Sequence, residues 1–364
     1  MTRPAGYNPD ETVTDDGLPR ERLRDVRWRS VAIEWAVAVA VVALINVAAI
    51  AALDRVDPNR FRVQVEVKYE RLREHGGDYD SLILGDSTPN QGIKPELLNE
   101  QLGGKWMNLA TVANMLALSD AWLLDEYIDT HGVPERVIVC HVPDMWAREA
   151  DPGVMSQAPV GVNDFGGLNP PIDWSAKDKL VVLGTRYFPL YSKQQSLLEL
   201  VQKPWKARDL RETFGGDGFM QVQGQVDGWP KAVEAAIAER EQTPYKLSED
   251  NARAMRRLIE LAEQHGFMIY LTPGSVSQPL AASEGYRRNF DAMIEQYQKW
   301  AASSEHVTLI LPEPQAFARE MMFDEDHVNA EGAVAWTTRI AEAVKRVEQN
   351  KGEGDAASNG GDDE

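Results

Sequence analysis

Three residues near opposite ends of the chain carry side chains that together suit nucleophilic catalysis. Ser87 stands in a Gly-Asp-Ser tripeptide after an apolar run, where a turn from strand to helix would expose its hydroxyl. Asp324 and His327 are three positions apart, so one short loop can supply a general base and the carboxylate that orients it. A serine hydroxyl is a weak nucleophile until such a base lies within hydrogen-bonding distance. The pattern therefore indicates a Ser-His-Asp arrangement with Ser87 as the nucleophile.

Each of these short patterns also has a structural interpretation. Ser87 suits the N-terminus of a helix, where its hydroxyl would cap a backbone N–H group. The loop that holds Asp324 and His327 would equally suit an acidic surface loop that caps the last helix through Asn329. Asp326 is an alternative to Asp324 as the orienting carboxylate. Placement favours catalysis, because the serine follows the first strand and the histidine precedes the final helix.

The elements that must position these residues alternate between strand and helix. Short apolar runs predict buried parallel strands at residues 81–86, 105–110, 136–142, 267–273 and 307–312. Helical patterns lie before, between and after them, at residues 60–75, 115–130, 248–265, 285–303 and 330–349. This alternation predicts an α/β protein whose doubly wound parallel sheet carries helices on both faces.

The alternation breaks between residues 150 and 245, which we interpret as an irregular, partly helical insertion in a domain that spans residues 78–349. The stretch is rich in proline, glycine and tryptophan. Its place in the chain suits a cover over the carboxyl edge of the sheet, where such folds bind ligands, although an inert insertion would look the same. Residues 350–364 lack apolar side chains that would anchor them, which predicts a disordered acidic tail.

The chain carries one stretch that is apolar enough to cross a membrane. Residues 35–53 contain no charged side chain, and Asn46 is the one clearly polar residue among them. About 20 such residues span the hydrocarbon core, so we predict a transmembrane helix over residues 31–53 and a juxtamembrane helix over residues 54–77. A buried core helix and a cleaved signal peptide are the alternatives.

The charges beside this stretch predict its orientation. Five arginines between residues 20 and 29 favour a cytoplasmic location for the N-terminal tail, residues 1–30. The sequence therefore predicts a single-pass protein of the cytoplasmic membrane whose large domain lies outside the cytoplasm, in the periplasm. Export of that domain is expected whether or not the apolar segment is cleaved.

Composition excludes several classes of function. The 38 Lys and Arg residues against 57 Asp and Glu residues give a net charge of −19, which disfavours nucleic acid as a partner. The single cysteine, Cys140, excludes an intramolecular disulfide and a cysteine-based zinc site. Glycine-rich phosphate loops are missing, and we expect neither a metal nor an organic cofactor. A mean hydropathy of −0.40 argues against a polytopic membrane protein.

Two short blocks of the sequence resemble those of the SGNH (GDSL-type) hydrolases. Residues 82–87, Leu-Ile-Leu-Gly-Asp-Ser, are similar to the first block of that family, and Asp324-x-x-His327 is similar to its last block. The resemblance covers residues 78–349 apart from the insertion, and it implies a flavodoxin-like α/β fold that transfers or hydrolyses acyl esters. It also implies that Ser87 is the nucleophile, His327 the base and Asp324 its orienting carboxylate.

The other two blocks of the family are altered in this chain. Residues 108–114 resemble the second block, but Ala113 replaces a glycine whose N–H helps to bind the oxyanion. The third block should contain an asparagine that completes the oxyanion hole, and residues 141–144 read His-Val-Pro-Asp instead. One such donor contributes about 2.7–4 kcal/mol to catalysis. We expect Ala113 to donate its N–H and Asn114, or a donor from the insertion, to replace the missing group.

Membrane-anchored proteins with an altered third block resemble the accessory proteins of alginate O-acetylation and of D-alanyl transfer to teichoic acid. The resemblance implies an exported enzyme that transfers or removes O-acyl (acetyl) groups on an envelope polysaccharide, beside a membrane-bound O-acyltransferase. A plain exported esterase would have the same features. The alternative from a different class is a non-catalytic scaffold or glycan-binding module that partners such an acyltransferase.

Overall fold

A computed structural model describes most of the chain. The described residues are 20–55, 60–188, 190, 197–198, 201–202, 210–222 and 224–359. The first 19 residues of the predicted cytoplasmic tail and the last five of the predicted acidic tail lie outside the described residues.

The core of the fold is a five-stranded parallel sheet. The strands of the described residues are β1 Ser81–Gly85, β2 Trp106–Asn108, β3 Arg136–His141, β4 Met268–Pro273, β5 Ser275–Ser277, β6 Val307–Leu309 and β7 Gln315–Phe317. The main sheet has the order β2-β1-β3-β4-β6, and β5 pairs with β7 in a small second sheet. Every paired neighbour runs parallel. The parallel sheet predicted from the five apolar runs is therefore confirmed.

Helices connect the strands and flank the sheet. Those described over their full length are α1 Arg20–Arg55, α2 Arg60–His75, α3 Ser87–Gly92, α4 Pro95–Leu102, α5 Leu116–His131, α6 Pro152–Met155, α7 Ala176–Tyr187, α8 Trp229–Gln242, α9 Glu249–His265, α10 Gln278–Ala281, α11 Glu284–Ser303 and α12 Ala330–Asn359. Helix α12 runs past the predicted end at residue 349 into the segment that we expected to be disordered. No proline interrupts the chain there, so nothing forces the helix to end earlier.

Strand β1 illustrates why the sheet is covered on both faces. Successive side chains of a strand point to opposite faces. Leu82 and Leu84 therefore pack in one apolar cluster with α2, α5, α9 and α11, whereas Ile83 packs in a second cluster with α4 and α12. An α/β protein with helices on both faces of its sheet is the fold predicted from the sequence.

A buried lysine ties α2 to the edge of the sheet. The ammonium of Lys68 donates to the carbonyl oxygen of Asn108 at 2.8 Å, to the side-chain oxygen of that residue at 3.3 Å and to the carbonyl oxygen of Gly218 at 2.6 Å. Three acceptors match the three N–H donors of an ammonium. Burial lowers the pKa of Lys68 well below its ordinary value, although the charge of Asp217 opposes this. The contact fixes α2, β2 and part of the insertion against one another.

Helix α1 lies outside this core. Its segment from Trp28 to Ala49 has 22 residues with a mean hydropathy of 2.3, and only 6% of its most apolar window is buried. Among the described residues, it is the one helix long and apolar enough to cross a membrane. A helix of the protein core would be buried, so the exposed apolar surface does not fit that interpretation.

Candidate active site

The turn that presents Ser87 depends on the glycine two positions before it. Gly85 ends β1 with a φ of +142°, a backbone conformation that side chains disfavour. A Cβ atom at Gly85 would lie 2.0 Å from the carbonyl oxygen of Cys140 on β3. Only glycine fits this close approach of two strands, so the first residue of the Gly-Asp-Ser pattern has a steric reason.

The next residue, Asp86, fixes the direction in which the chain leaves the strand. Its Oδ1 accepts the backbone N–H of Thr88 at 2.8 Å, which caps α3. Its Oδ2 accepts the backbone N–H of Val142, just after β3, at 2.7 Å. Ser87 is thus the first residue of α3, at the carboxyl edge of the sheet. The cap that the sequence suggested for Ser87 is supplied by Asp86.

The loop that carries His327 is closed by its own backbone. Met322 and Val328 form an antiparallel bridge across the base of the loop. The backbone N–H of Phe323 donates to the carbonyl oxygen of His327 at 2.8 Å. The cap of α12 follows directly, because Asn329 accepts the N–H of Gly332 through its side chain at 3.1 Å. Asn329 therefore caps the helix, and the histidine is left available for other contacts.

Two other parts of the fold hold this loop from outside. Strand β5 supplies the hydroxyl of Ser275, which donates to the carbonyl oxygen of Asp326 at 2.6 Å, and the N–H of Ser277, which donates to that of Glu325 at 2.8 Å. The insertion supplies Trp229, whose indole N–H donates to the carbonyl oxygen of Asp324 at 3.1 Å. A loop fixed on several sides can hold its histidine in one orientation.

The three residues singled out in the sequence meet at this edge. The Oγ of Ser87 lies 2.8 Å from Nε2 of His327, and Nδ1 of His327 lies 2.8 Å from Oδ1 of Asp324. An imidazole protonated at Nδ1 donates to the carboxylate and leaves Nε2 free to accept the serine O–H. The arrangement can activate a hydroxyl nucleophile.

A second carboxylate reaches the same nitrogen. Oδ1 of Asp326 lies 2.9 Å from Nδ1 of His327. Oδ1 of Asp324 differs in that it also accepts the backbone N–H groups of His327 at 2.9 Å and of Asp326 at 3.2 Å. Asp324 is therefore fixed by three donors, whereas the geometry at Nδ1 alone does not separate the two carboxylates.

The electrostatics do separate them. Burial alone raises the pKa of Asp324, but the hydrogen bonds and the charge of His327 outweigh it and lower that pKa overall. Burial raises the pKa of Asp326, and the charge of Asp324 adds to this against the opposite effect of His327. Burial lowers the pKa of His327, but the two carboxylates raise it well above its ordinary value. Asp324 is accordingly the carboxylate that stays ionised more readily.

A second histidine lies buried beneath the turn, and the sequence did not assign it to the site. Nε2 of His141 lies 2.7 Å from Oδ2 of Asp120, and its Nδ1 lies 3.6 Å from Oδ2 of Asp86. The other oxygen of Asp120 accepts the backbone N–H of Gly85 at 3.0 Å. Burial lowers the pKa of His141, but the two carboxylates raise it to about 9. The buried side chains of His141, Asp120 and Asp86 thus lie directly beneath the turn that presents Ser87.

The residues expected to bind the oxyanion lie on the loop after β2. Thr111 of this loop donates its N–H to the carbonyl oxygen of Gly85 at 2.8 Å, so the loop runs beside the end of β1. Ala113 is half-buried, and Asn114 is exposed with its side-chain oxygen hydrogen-bonded to Arg148. Within the described part of the chain, neither residue bonds to the serine. Their role in an oxyanion hole stays a prediction.

Asp324, Asp326 and His327 are also the residues that could hold a metal ion. Their ligand atoms lie within 4.8 Å of one another. Of the two ring nitrogens of His327, Nδ1 bonds the carboxylates and Nε2 bonds Ser87. A metal at Nδ1 would replace the hydrogen bonds that orient the ring, so the geometry favours the triad.

A cavity of about 480 Å³ opens beside α3. Gln91, one helical turn after Ser87, lines it together with Lys94 and Asn99. The opposite wall comes from the insertion and includes Asp217 and Phe219. Two aromatic residues, Tyr79 and Phe219, also line this space, whereas Ser87, Asp324 and His327 are not among its lining residues.

Comparison with known proteins leaves the family of this chain open. No protein-family model matches the sequence, and no curated protein matches it. The likeness to SGNH hydrolases therefore rests on the motifs of the sequence itself.

Proposed function

We propose that this protein is a membrane-anchored, exported serine enzyme of the SGNH type that acts on acyl esters. The observation that carries the proposal is the pair of 2.8 Å hydrogen bonds that joins Ser87 to His327 and His327 to Asp324. Three side chains from two distant parts of the chain meet in the order and geometry that nucleophilic catalysis requires. A surface loop that merely capped α12 would have no reason to place Nε2 of its histidine on a serine hydroxyl.

The topology supports a flavodoxin-like fold. The strand order β2-β1-β3-β4-β6 corresponds to the 2-1-3-4-5 order of that class once the strands of the main sheet are counted alone. Such folds bind ligands at the carboxyl ends of the strands, near the point where the strand order reverses. Here the order reverses between β1 and β3, and Ser87 follows the end of β1.

In the proposed reaction, Oγ of Ser87 attacks the carbonyl carbon of an acyl ester while Nε2 of His327 takes the hydroxyl proton. Asp324 holds the ring and stabilises the imidazolium. The tetrahedral oxyanion is bound by backbone N–H groups, for which Ser87 at the start of α3 and Ala113 are the candidates, with Asn114 as a further donor. His327 then returns the proton to the leaving alcohol, and the acyl group remains on the serine as an ester.

The second half of the reaction decides between transfer and hydrolysis. A sugar hydroxyl or a water molecule gives its proton to His327 and attacks the acyl-enzyme; the bond between the acyl carbon and Oγ of Ser87 breaks, and His327 returns the proton to Oγ. We propose an O-acetylated envelope polysaccharide as donor or acceptor, because an apolar anchor before an SGNH-like domain resembles the accessory proteins of envelope O-acylation. A membrane-bound O-acyltransferase is the proposed partner.

The location follows from α1. Its exposed apolar segment serves as the anchor, and the arginines that precede it keep the N-terminus in the cytoplasm. The catalytic domain then lies on the periplasmic side of the cytoplasmic membrane, where envelope polysaccharides are modified.

The test uses the full chain in detergent micelles with p-nitrophenyl acetate. We expect release of p-nitrophenol and, by mass spectrometry, an acetyl group on Ser87. Ser87→Ala should show neither, whereas Ser175→Ala, at an exposed helix cap, should behave as the natural protein. Faster turnover with added oligosaccharide would favour a transferase over an esterase. A folded protein that forms no adduct and releases no p-nitrophenol would contradict the proposal and favour the non-catalytic scaffold.

A further inference from the structure

Helix α7 of the insertion has an apolar side that no part of the described protein covers. The helix begins with a capping box in which Ser175 and Asp178 exchange hydrogen bonds. Leu180, Leu183 and Tyr187 follow at a spacing that puts them on one side, and they are 69%, 38% and 49% exposed. An isolated exposed leucine needs no explanation, but a row of them marks a contact surface.

The opposite side of α7 packs on the domain, so the helix cannot turn its apolar side inward. Val182 is fully buried in the cluster that covers the first face of the sheet. Arg186 donates to the carbonyl oxygens of Ser156 at 2.8 Å and Ala158 at 2.6 Å. These contacts fix the rotation of α7 about its axis and keep the leucines outside.

Further exposed apolar residues follow α7 in the chain. Among the described residues between 188 and 201, four apolar side chains are exposed: Phe188 (56%), Leu190 (37%), Leu198 (57%) and Val201 (80%). Together with the side of α7 they form what we call the apolar rim, defined by Leu180, Leu183, Tyr187, Phe188, Leu190, Leu198 and Val201.

The apolar rim is joined to the apolar helix α1. The side-chain amide of Asn46 donates to the carbonyl oxygen of Tyr187 at 2.5 Å, and its oxygen accepts the N–H of Leu190 at 3.5 Å. Asn46 is only 6% exposed, whereas Leu44 and Val47 beside it are 70% and 62% exposed. An amide in an apolar span is costly unless it is hydrogen-bonded, and the end of α7 supplies that partner.

The position of Asn46 sets the depth of the rim. It lies seven residues before Leu53, the last apolar residue before Asp54, which corresponds to about 10.5 Å along the helix axis. The end of α7 is therefore level with a point about two helical turns inside the end of the apolar segment. Amphipathic helices that lie in a membrane surface bury their apolar side about 5–10 Å deep at this boundary.

We infer that the apolar rim lies in the outer leaflet of the bilayer that α1 crosses, at the boundary between headgroups and acyl chains. The inference rests on the proposed anchoring by α1. Lys177 and Lys179, both exposed in the first turn of α7, suit the anionic headgroups of such a surface. Their neighbour Asp178 is occupied by the cap of the helix. The domain is thus attached to the membrane at two places, α1 and the apolar rim. Two attachments fix its tilt relative to the membrane plane as well as its distance from that plane.

The experiment places a fluorescent probe at single positions of the full chain in vesicles of phosphatidylcholine and phosphatidylglycerol. Leu180→Cys and Leu183→Cys carry a nitrobenzoxadiazole label, and the native Cys140 is buried away from the reagent. Val334→Cys is the matched control, because Val334 is also an exposed apolar residue (45%) but lies on α12, which packs on the opposite face of the sheet. Ile45→Cys reports on the span itself.

Lipids that carry a spin label near the headgroup should reduce the fluorescence at positions 180 and 183 about twofold, as expected for groups 5–10 Å below the surface. Position 334 should not respond, and position 45 should. Quenching at position 45 without quenching at 180 and 183 would overturn the inference and leave the anchor intact. No quenching at position 45 would refute the anchor and the inference with it. Quenching at positions 180 and 183 that weakens as the protein-to-lipid ratio rises would indicate that a second copy of the chain covers the apolar rim. That result would also overturn the inference.

Discussion

The two carboxylates at Nδ1 of His327 should respond differently to the loss of their charge. Asp326→Asn removes a carboxylate whose oxygen lies 2.9 Å from the ring but leaves the hydrogen bonds of Asp324 in place. Asp324→Asn removes the negative charge that stabilises the imidazolium and introduces an amide N–H that can donate to Nδ1 of His327. The first change should alter the pH at which the base works, and the second should favour the tautomer whose Nε2 carries a proton and cannot accept that of the serine.

The expected magnitudes follow from these contacts. A single opposite charge within a few ångströms shifts a pKa by about 1–3 units. The pKa of His327 is raised by both carboxylates, so Asp326→Asn should lower it by about that amount. The base must be neutral to accept the serine proton, so the acid limb of kcat/KM should move by about 1–3 pH units to lower pH. Asp324→Asn should lower kcat by about 10⁴, or ~5 kcal/mol, as loss of the orienting carboxylate does in other triads.

The assay is p-nitrophenyl acetate hydrolysis by the full chain in micelles, followed from acidic to alkaline pH. Glu325→Gln is the matched control, because it removes a carboxyl group from the same loop that makes no contact with Nδ1 in the described structure. An unmoved acid limb in Asp326→Asn would refute the argument that its charge acts on the base. A loss of about 10⁴ in Asp326→Asn with a mere pH shift in Asp324→Asn would reverse the two roles.

Three further predictions concern the residues at and beneath the turn that presents Ser87. Gly85→Ala should prevent folding or lower the Tm steeply, because the new Cβ would lie 2.0 Å from a carbonyl oxygen. Gly216→Ala is the control, because a Cβ there would have no atom within 4 Å. Equal Tm values for the two variants would contradict the steric argument. Asp120→Asn should lower the free energy of unfolding in denaturant titration by about 3–5 kcal/mol, because it leaves His141 buried without its nearer carboxylate. Asp125→Asn, in a partly exposed ion pair of the same helix, should cost at most about 1 kcal/mol, and a similar cost for both would contradict this reasoning. Burial lowers the pKa of His141, but the carboxylates raise it from 6.5 to about 9. The contribution of charged His141 to the free energy of unfolding is therefore complete below pH 6.5 and is lost as the pH rises through 9. That loss amounts to ~3 kcal/mol, and a flat stability over this range would show that the imidazole is buried in its neutral form.

The parts of the fold that could be predicted are those with a long periodic pattern. Helix α9 begins at Glu249 and ends at His265, within one residue of the predicted bounds, because its apolar side repeats over several turns. The small sheet was not predicted, since Ser275–Ser277 has one apolar residue and is too short to show alternation. Helix α4, Pro95–Leu102, was missed for a similar reason, because two turns give few repeats.

The contacts of the site likewise include some between residues close together in the sequence and others between residues far apart in it. Asp324 and His327 are three residues apart, so their hydrogen bond is a local property that spacing can indicate. The spacing did not distinguish Asp326, because both carboxylates reach Nδ1, and they differ in the backbone donors on Asp324 and in the direction of their pKa shifts. Asp120 gave a weak signal, an acid within an apolar helical run, but its partner lies 21 residues away on a strand whose register the sequence does not specify.

The buried pair and the nucleophile are linked through one turn of backbone. Asp120 takes the N–H of Gly85, and Asp86 takes the N–H groups of Thr88 and of the residue after β3. Both carboxylates also face the imidazolium of His141, which compensates the cost of burying them. The positive charge therefore allows two buried carboxylates to accept backbone N–H groups on either side of Ser87. Without its charge, these carboxylates would repel each other at the place where the hydroxyl must be held within hydrogen-bonding distance of His327. In the proposed reaction, His141 would therefore be a positioning residue for Ser87 that acts through the geometry of this turn.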